Sequence, residues 1–200
     1  MSANIELRNL ELGELITSGK GAKSIQLTTI DGKPVIWQPS ECLMPVFEPS
    51  VFNDVEATRV NLSLTPSDSI EKHLKALDSF LASQLATDSA KYFGQILTTQ
   101  QVIERMQPSI RVSEKNHHSL RLKMNISGRA KVQVFDEERT ARDLPTAWLD
   151  VSLRPRILVK GFWMIKRLVY CTSSNAAKSV SSLARAHSEE FLGNYKFRRV

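Results

Sequence analysis

Five apolar residues, Ile70, Leu74, Leu77, Leu81 and Leu85, recur at the spacing of one helix face, and they sit between two blocks of alternating residues. Before them, over Ala57 to Leu64, Val60, Leu62 and Leu64 alternate with Arg59, Asn61 and Ser63. After them, Leu120, Leu122, Met124 and Ile126 alternate with Arg121, Lys123 and Asn125. A period of 3.6 buries one stripe of a helix and a period of two buries one face of a strand, so every block has one side for a core and one for water. Strands, then helix, then strands again argue for an α+β fold with a β-rich antiparallel sheet or small barrel. Thr65-Pro66 reads as an N-cap followed by Pro at the first helical position, with Asp68 and Glu71 as first-turn acids and an end near Asp88. A short second helix opens at the capping box Thr98-Thr99-Gln100-Gln101 and stops before Pro108.

The remaining segments are shorter. Ser24–Ile30, then Asp31-Gly32, then Lys33–Trp37 reads as a β-hairpin, because Asp-Gly favours the positive φ of a tight turn. Val132 and Val134 alternate with polar neighbours, and Trp148–Leu153, Arg156–Lys160 and Phe162–Tyr170 read as further strands, with a turn at Gly128 and a bulge at Gly161. The polar residues 1–19 read as a loose N-terminal arm. Residues 20–172 read as one domain, with a basic extension over residues 173–200 and a weak helix over Asn175–Glu190. With 200 residues, 42 % of them hydrophobic, one ordinary core is expected.

The charge is unevenly placed. Residues 151–200 carry ten Lys/Arg against two Glu, a net of +8, and the first 150 carry 17 Lys/Arg against 19 acids, a net of −2. A pI near 9.4 favours an anionic partner. Nothing approaches the roughly 20 apolar residues of a membrane helix, and the N-terminus lacks the pattern of a secretory or organelle signal. Cys42 and Cys171 are the only cysteines and lie far apart, which fits a reducing intracellular compartment, cytoplasm or nucleus, and no membrane.

Catalytic patterns are missing. No Gly-rich phosphate loop follows a strand, and no nucleophile motif surrounds a Ser or Cys. His117-His118 has no ligand at a metal-like offset and reads as a solvated loop, and Asp136-Glu137-Glu138, followed by Arg139 and Arg142, reads as a charged turn. The expectation is a non-enzymatic protein without cofactor or metal.

What the sequence does offer is cations among aromatics. Lys20, Lys23 and Lys33 flank the hairpin, Arg121 and Lys123 share a strand face, and Arg129 and Lys131 follow. Arg154, Arg156, Lys160, Lys166 and Arg167 are interleaved with Phe162, Trp163 and Tyr170. If these faces join, cations attract phosphates and rings stack on unpaired bases. Phe162 and Trp163 are consecutive, so one ring faces in and one out. Trp163 is assigned to the binding face against the alternative of a core position, and Trp37 and Trp148 to the core.

The order of several pieces resembles a family of single-stranded-DNA-binding proteins of tailed phages and large DNA viruses. The pieces are Gly32-Lys33-Pro34 leading to Trp37-Gln38-Pro39, then Pro45-Val46-Phe47 with Phe52, and Asn61-Leu62-Ser63-Leu64 before the helix. Ser89-Ala90-Lys91-Tyr92-Phe93-Gly94, Leu120–Ile126, Val134-Phe135-Asp136 and Gly161-Phe162-Trp163 follow. The resemblance spans roughly residues 20–172. It implies an oligonucleotide-binding (OB-like) barrel with a helical insertion, coating single strands in viral DNA replication or recombination. DNA is favoured over RNA, and partners are replication proteins or further copies of the chain. Members of the phage type end in an acidic, partner-recruiting tail, whereas this chain ends Lys196-Phe197-Arg198-Arg199-Val200, and Met164–Leu168 lacks the family's aromatic-Gly step. The competing reading is a virion or assembly protein whose basic tail contacts packaged nucleic acid or another subunit.

Overall fold

The computed structural model describes the backbone of residues 5–19, 21–51, 58–129, 131–164, 168–172, 184–185 and 194–198, with side-chain surroundings up to residue 164. The chain opens with a 3-10 turn, Leu7–Asn9, and strands β1 (Leu10–Thr17), β2 (Lys23–Thr29), β3 (Val35–Trp37), β4 (Met44–Pro45), β5 (Ser50–Val51) and β6 (Arg59–Thr65). Helices α1 (Asp68–Thr87), α2 (Ser89–Phe93) and α3 (Thr99–Arg105) follow. Then come β7 (Met106–Gln107), β8 (Ile110–Val112), β9 (His118–Asn125), β10 (Gln133–Asp136), β11 (Ala141–Arg142), β12 (Ile157–Met164) and β13 (Leu168–Thr172). The fold is α+β with mostly antiparallel pairing. One sheet runs β1-β2-β12-β13-β7 with β3 on β12, and a second runs β4-β6-β9-β8 with β5 on β6. In a third, β10 lies between β11 and Asn194–Arg198.

No sheet closes on itself among the described residues, so the expected barrel is not formed. The end strands explain why: β1 and β7 end the first sheet and β4 and β8 the second, and none of these four pairs with another of them. The two large sheets are instead linked by one antiparallel pair, Leu43 with Leu153, whose amides and carbonyls exchange bonds of 2.6 and 2.8 Å. A short step through Pro108 also carries the chain from β7 in one sheet to β8 in the other.

The helical stripe packs as expected. Ile70, Leu74, Leu77, Leu81 and Leu85 are all buried, in one core with Leu62, Leu64, Leu120, Leu122, Trp37 and Trp148. Polar groups fix where α1 lies. Asp78 accepts hydrogen bonds from the Ser109 amide (2.8 Å) and hydroxyl (2.6 Å), and so holds the β7–β8 step. Burial raises the Asp78 carboxyl, and the two Ser109 bonds pull it partly back. His73 Nε2 accepts from the Ile5 amide at 3.0 Å, with its ring 5.7 Å from that of Trp37. At the start of the helix, Glu71 meets Lys75 (2.5 Å) and His118 (2.6 Å). His118 therefore anchors β9 to α1 instead of lying in a solvated loop.

Several local expectations change. The helix is capped by Ser67, whose hydroxyl accepts from the Ile70 amide at 3.3 Å, because Thr65 is still paired in β6. Residues 10–17, read as part of a loose arm, form β1, with Leu10 buried and Ile5 packed in the core. The hairpin turn is a three-residue connection, Ile30-Asp31-Gly32. Thr29 and Lys33 pair across it and only Gly32 has positive φ (+72°), so Asp31 does not adopt the conformation expected of it. Trp148–Leu153 is a turn followed by the Leu43–Leu153 pair and not a strand. Phe162–Tyr170 is not one strand but parts of the antiparallel pair β12 and β13. Most of Asn175–Glu190 lies outside the described residues, and within it Ala184–Arg185 pairs as a strand with Asn194–Tyr195.

Gly161 is the tightest point of the first sheet. A Cβ there would lie 2.1 Å from the Ile25 carbonyl oxygen and 2.8 Å from the Leu27 nitrogen, and its φ is +122°. The pairing with β13 shifts register between Val159 and Gly161, so the bulge expected at this residue is present. On the other edge, β12 leaves β3 after Val159 and joins β2 from Gly161 onward. Gly161→Ala is expected to cost roughly 3 kcal/mol or more, through overlap and strain together. Gly128→Ala, at φ +76° with nothing within 4 Å of its Cβ, is expected to cost only about 1–2 kcal/mol. Denaturant melts of the two variants compare them.

A second expectation concerns pH. Burial holds the His73 ring below the ordinary histidine range. The folded chain thus binds that proton less readily than the unfolded chain, so stability is full above the ordinary histidine pKa and falls as the pH drops towards the folded value. Melting temperature against pH should show this decline, and His73→Gln, which takes up no proton, should flatten it.

Candidate nucleic-acid interface

The β6–β9 ladder has two unlike sides. Val60, Leu62, Leu64, Leu120, Leu122 and Met124 are 4 % exposed or less. The register places Asn61 opposite Lys123, Ser63 opposite Arg121, Arg59 opposite Asn125 and, on the next strand, Arg111 opposite Ser119. With period two, these residues share the face turned away from the core. Arg59, Arg111, Arg121 and Lys123 are thus four cations on one sheet face, and β6, β8 and β9 contain no acid. Lys123 and Arg59 are exposed, while Arg111 and Arg121 are half-buried. Arg59 donates from Nε to Asn125 Oδ1 at 2.9 Å, which fixes the guanidinium over the ladder. Desolvation, then the neighbouring charge of Arg121, lowers the Arg111 pKa. Guanidinium groups do not discharge near neutrality, so like charges are held close on a partly dry surface.

Arg129 and Lys131 extend this face. The turn after β9 brings the Val132 amide back to the Asn125 carbonyl at 2.8 Å, leaving both cations exposed at the strand end. They line a cleft of about 230 Å³ with Arg142. Arg142 is engaged by Asp136, a buried carboxylate that also accepts from the Thr140 amide at 2.7 Å. Burial alone would raise Asp136, but those two partners outweigh it and hold the group below its ordinary range. Glu137 and Glu138 are the exposed residues of the charged turn.

The other predicted residues lie on the first sheet. Arg156, Leu158 and Lys160 are half-buried on the outer side of β12, alternating with buried Ile157 and Val159. The bulge at Gly161 shifts that alternation, so Phe162 is fully buried and Trp163 is 44 % exposed. Trp163 stands beside Ser24, which pairs on its far side with exposed Ile16. Lys23 is exposed opposite Met164. Lys33 and Arg156 line a cleft of about 450 Å³ together with Asp31 and Glu6. Lys33 is ion-paired with Asp31, so that cleft is close to neutral. Arg154 is half-buried next to the Leu43–Leu153 pair.

The candidate cations divide between the two large sheets. Arg121, Lys123, Arg129 and Lys131 go with the second sheet, and Lys23, Lys33, Arg156, Lys160 and Trp163 with the first. Lys20, Lys166 and Arg167 lie outside the described residues, as does the side chain of Tyr170, whose backbone pairs with Phe162. Arg59 and Arg111, which share the face of Arg121 and Lys123, were not among the sequence candidates. The alternation of Arg59 with Val60 was available as a signal, whereas Arg111 sits in a three-residue strand too short to show a period. Among the described residues, no three His, Cys, Asp or Glu side chains cluster as metal ligands, and no helix is long and apolar enough to cross a membrane. Compared with protein-family models, curated proteins and solved structures, the chain shows no match.

The opposite placement of the two adjacent rings is open to test. Phe162→Ala should cost about 3–5 kcal/mol of stability, as for a filled core site. Trp163→Ala should cost less, about 1–3 kcal/mol, since the ring is only partly buried. Thermal melts of both variants distinguish them.

Proposed function

We propose that this protein binds single-stranded nucleic acid without sequence preference and performs no catalysis, with the outer face of β6, β9 and β8 as its phosphate-binding surface. The observation that carries this reading is the set Arg59, Arg111, Arg121 and Lys123 on one face of three strands that hold no acid. Clustered cations that release counterions from a polyanion give affinity independent of base identity. Arg129 and Lys131 lengthen the surface at the end of β9. Trp163, exposed on the first sheet near Lys160, is a further contact, available for stacking on a base. The resemblance in order of pieces favours DNA over RNA and a role in viral DNA replication or recombination, with an OB-like ancestry for the open sheets.

Salt dependence tests this directly. Log affinity for a single-stranded oligomer should fall linearly with log salt, at about 0.7 per phosphate contact. Replacing Arg111, Arg121 and Lys123 together by Ala should flatten that slope by up to about two units while the chain stays folded. The same treatment of Arg154, Arg156 and Lys160 reads the contribution of the first sheet. An unchanged slope in the Arg111, Arg121 and Lys123 variant would move the phosphate surface off β9 and β8.

A further inference from the structure

Phe47 is 67 % exposed, and its position is set by the second sheet. Pro45 pairs with Leu64, the Val46 amide donates to the Ser63 carbonyl at 2.8 Å, and pairing resumes at Ser50 opposite Asn61. Between Leu64 and Asn61, β6 advances three residues while its partner advances five, from Pro45 to Ser50. The surplus is a bulge at Phe47 and Glu48. Glu48 pins it, because Oε1 accepts from the backbone amides of Trp148 (2.8 Å) and Leu149 (3.3 Å). Trp148 is buried beneath this anchor, and Leu149, like Phe47, is left in solvent at 48 % exposure. The Glu48 anchor thus joins the backbone of Leu149 to the bulge that carries Phe47, and both side chains are exposed.

The residues of β6 opposite this bulge, Ser63 and Asn61, pair on their other edge with Arg121 and Lys123. Two interstrand spacings, roughly 10 Å, separate the bulge from the cations of β9. The reach of an Arg or Lys side chain added to the phosphate-to-base length of a nucleotide covers that gap, so a strand whose phosphates lie on β9 can lay a base on this edge. Trp163 belongs to the other sheet and has no such relation to Arg121 and Lys123. We infer that Phe47, positioned by Glu48, is the base-stacking platform of the phosphate surface on β6 and β9, its occupant an unpaired base of the bound strand. This rests on the function proposed above. Four cations on the same sheet as the bulge favour a polyanionic occupant over an apolar protein segment.

The test is a binding titration of the full chain with fluorescein-labelled oligothymidylate, for wild type, Phe47→Ala and Phe47→Trp, with circular dichroism on each. Phe47→Ala should weaken binding roughly 5- to 150-fold with unchanged fold, the span of one lost stacking contact, and Phe47→Trp should restore it. Irradiating the wild-type complex with a 5-iododeoxyuridine oligomer should crosslink the peptide that carries Phe47. Wild type that binds, with Phe47→Ala equal to it, would overturn the platform and leave the phosphate surface standing. Crosslinks confined to other peptides would overturn it as well. Wild type that does not bind the oligomer at all would remove both.

Discussion

Backbone meets backbone at Gly161 more closely than any side chain permits, and the rest of the first sheet is arranged around that approach. One residue with no Cβ and a φ of +122° lets β12 pass from β3 to β2 without breaking its other edge on β13. The same residue resets the alternation of the strand. Before it, odd-numbered Ile157 and Val159 point to the core; after it, Phe162 does. Exposure of Trp163 is thus a consequence of a backbone contact two residues away. The sheets stay open at their end strands, β1 and β7 in the first and β4 and β8 in the second.

The second sheet depends on α1 in a different way. Its apolar side is closed by the stripe Ile70 to Leu85, and polar contacts from the same helix, Glu71 to His118 and Asp78 to Ser109, tie both ends of the β8–β9 unit to it. Lys75, then His118, keep the Glu71 carboxyl below its ordinary range. With the inner side fixed, the register decides what the outer side presents, and it presents Arg59, Arg111, Arg121 and Lys123. Desolvation, then the charge of Arg121, lowers the Arg111 pKa on this half-buried surface.

Some of this was legible from residues alone. α1, β6 and β9 each bury one face, so their periods appear directly, and Phe162 against Trp163 followed from adjacency on a strand. β1 was not legible. It is an edge strand in which only Leu10 is buried, and its two acids gave it the look of a solvated arm. The Thr65-Pro66 cap was misplaced because strand pairing claims Thr65 before the helix begins. The reading of one strand over Phe162–Tyr170 failed because Ile165-Lys166-Arg167 contains no Gly, Pro, Asn or Asp to mark a break. The shared face of Arg121 and Lys123 was legible because β9 is eight residues long. Phe47 appeared only within Pro45-Val46-Phe47, and nothing periodic marked its exposure, since a bulge is defined by its partner strand and not by its own sequence.

The central claim is that the outer face of β6, β9 and β8 receives the nucleic-acid strand. Chemical-shift mapping of the ¹⁵N-labelled chain, titrated with oligothymidylate, tests it most directly. The amide signals of Arg59, Arg111, Arg121 and Lys123 should move together and saturate at one stoichiometry, with those of the exposed side of α3 unmoved. Shifts confined to other elements, or none on adding excess oligomer, would contradict it.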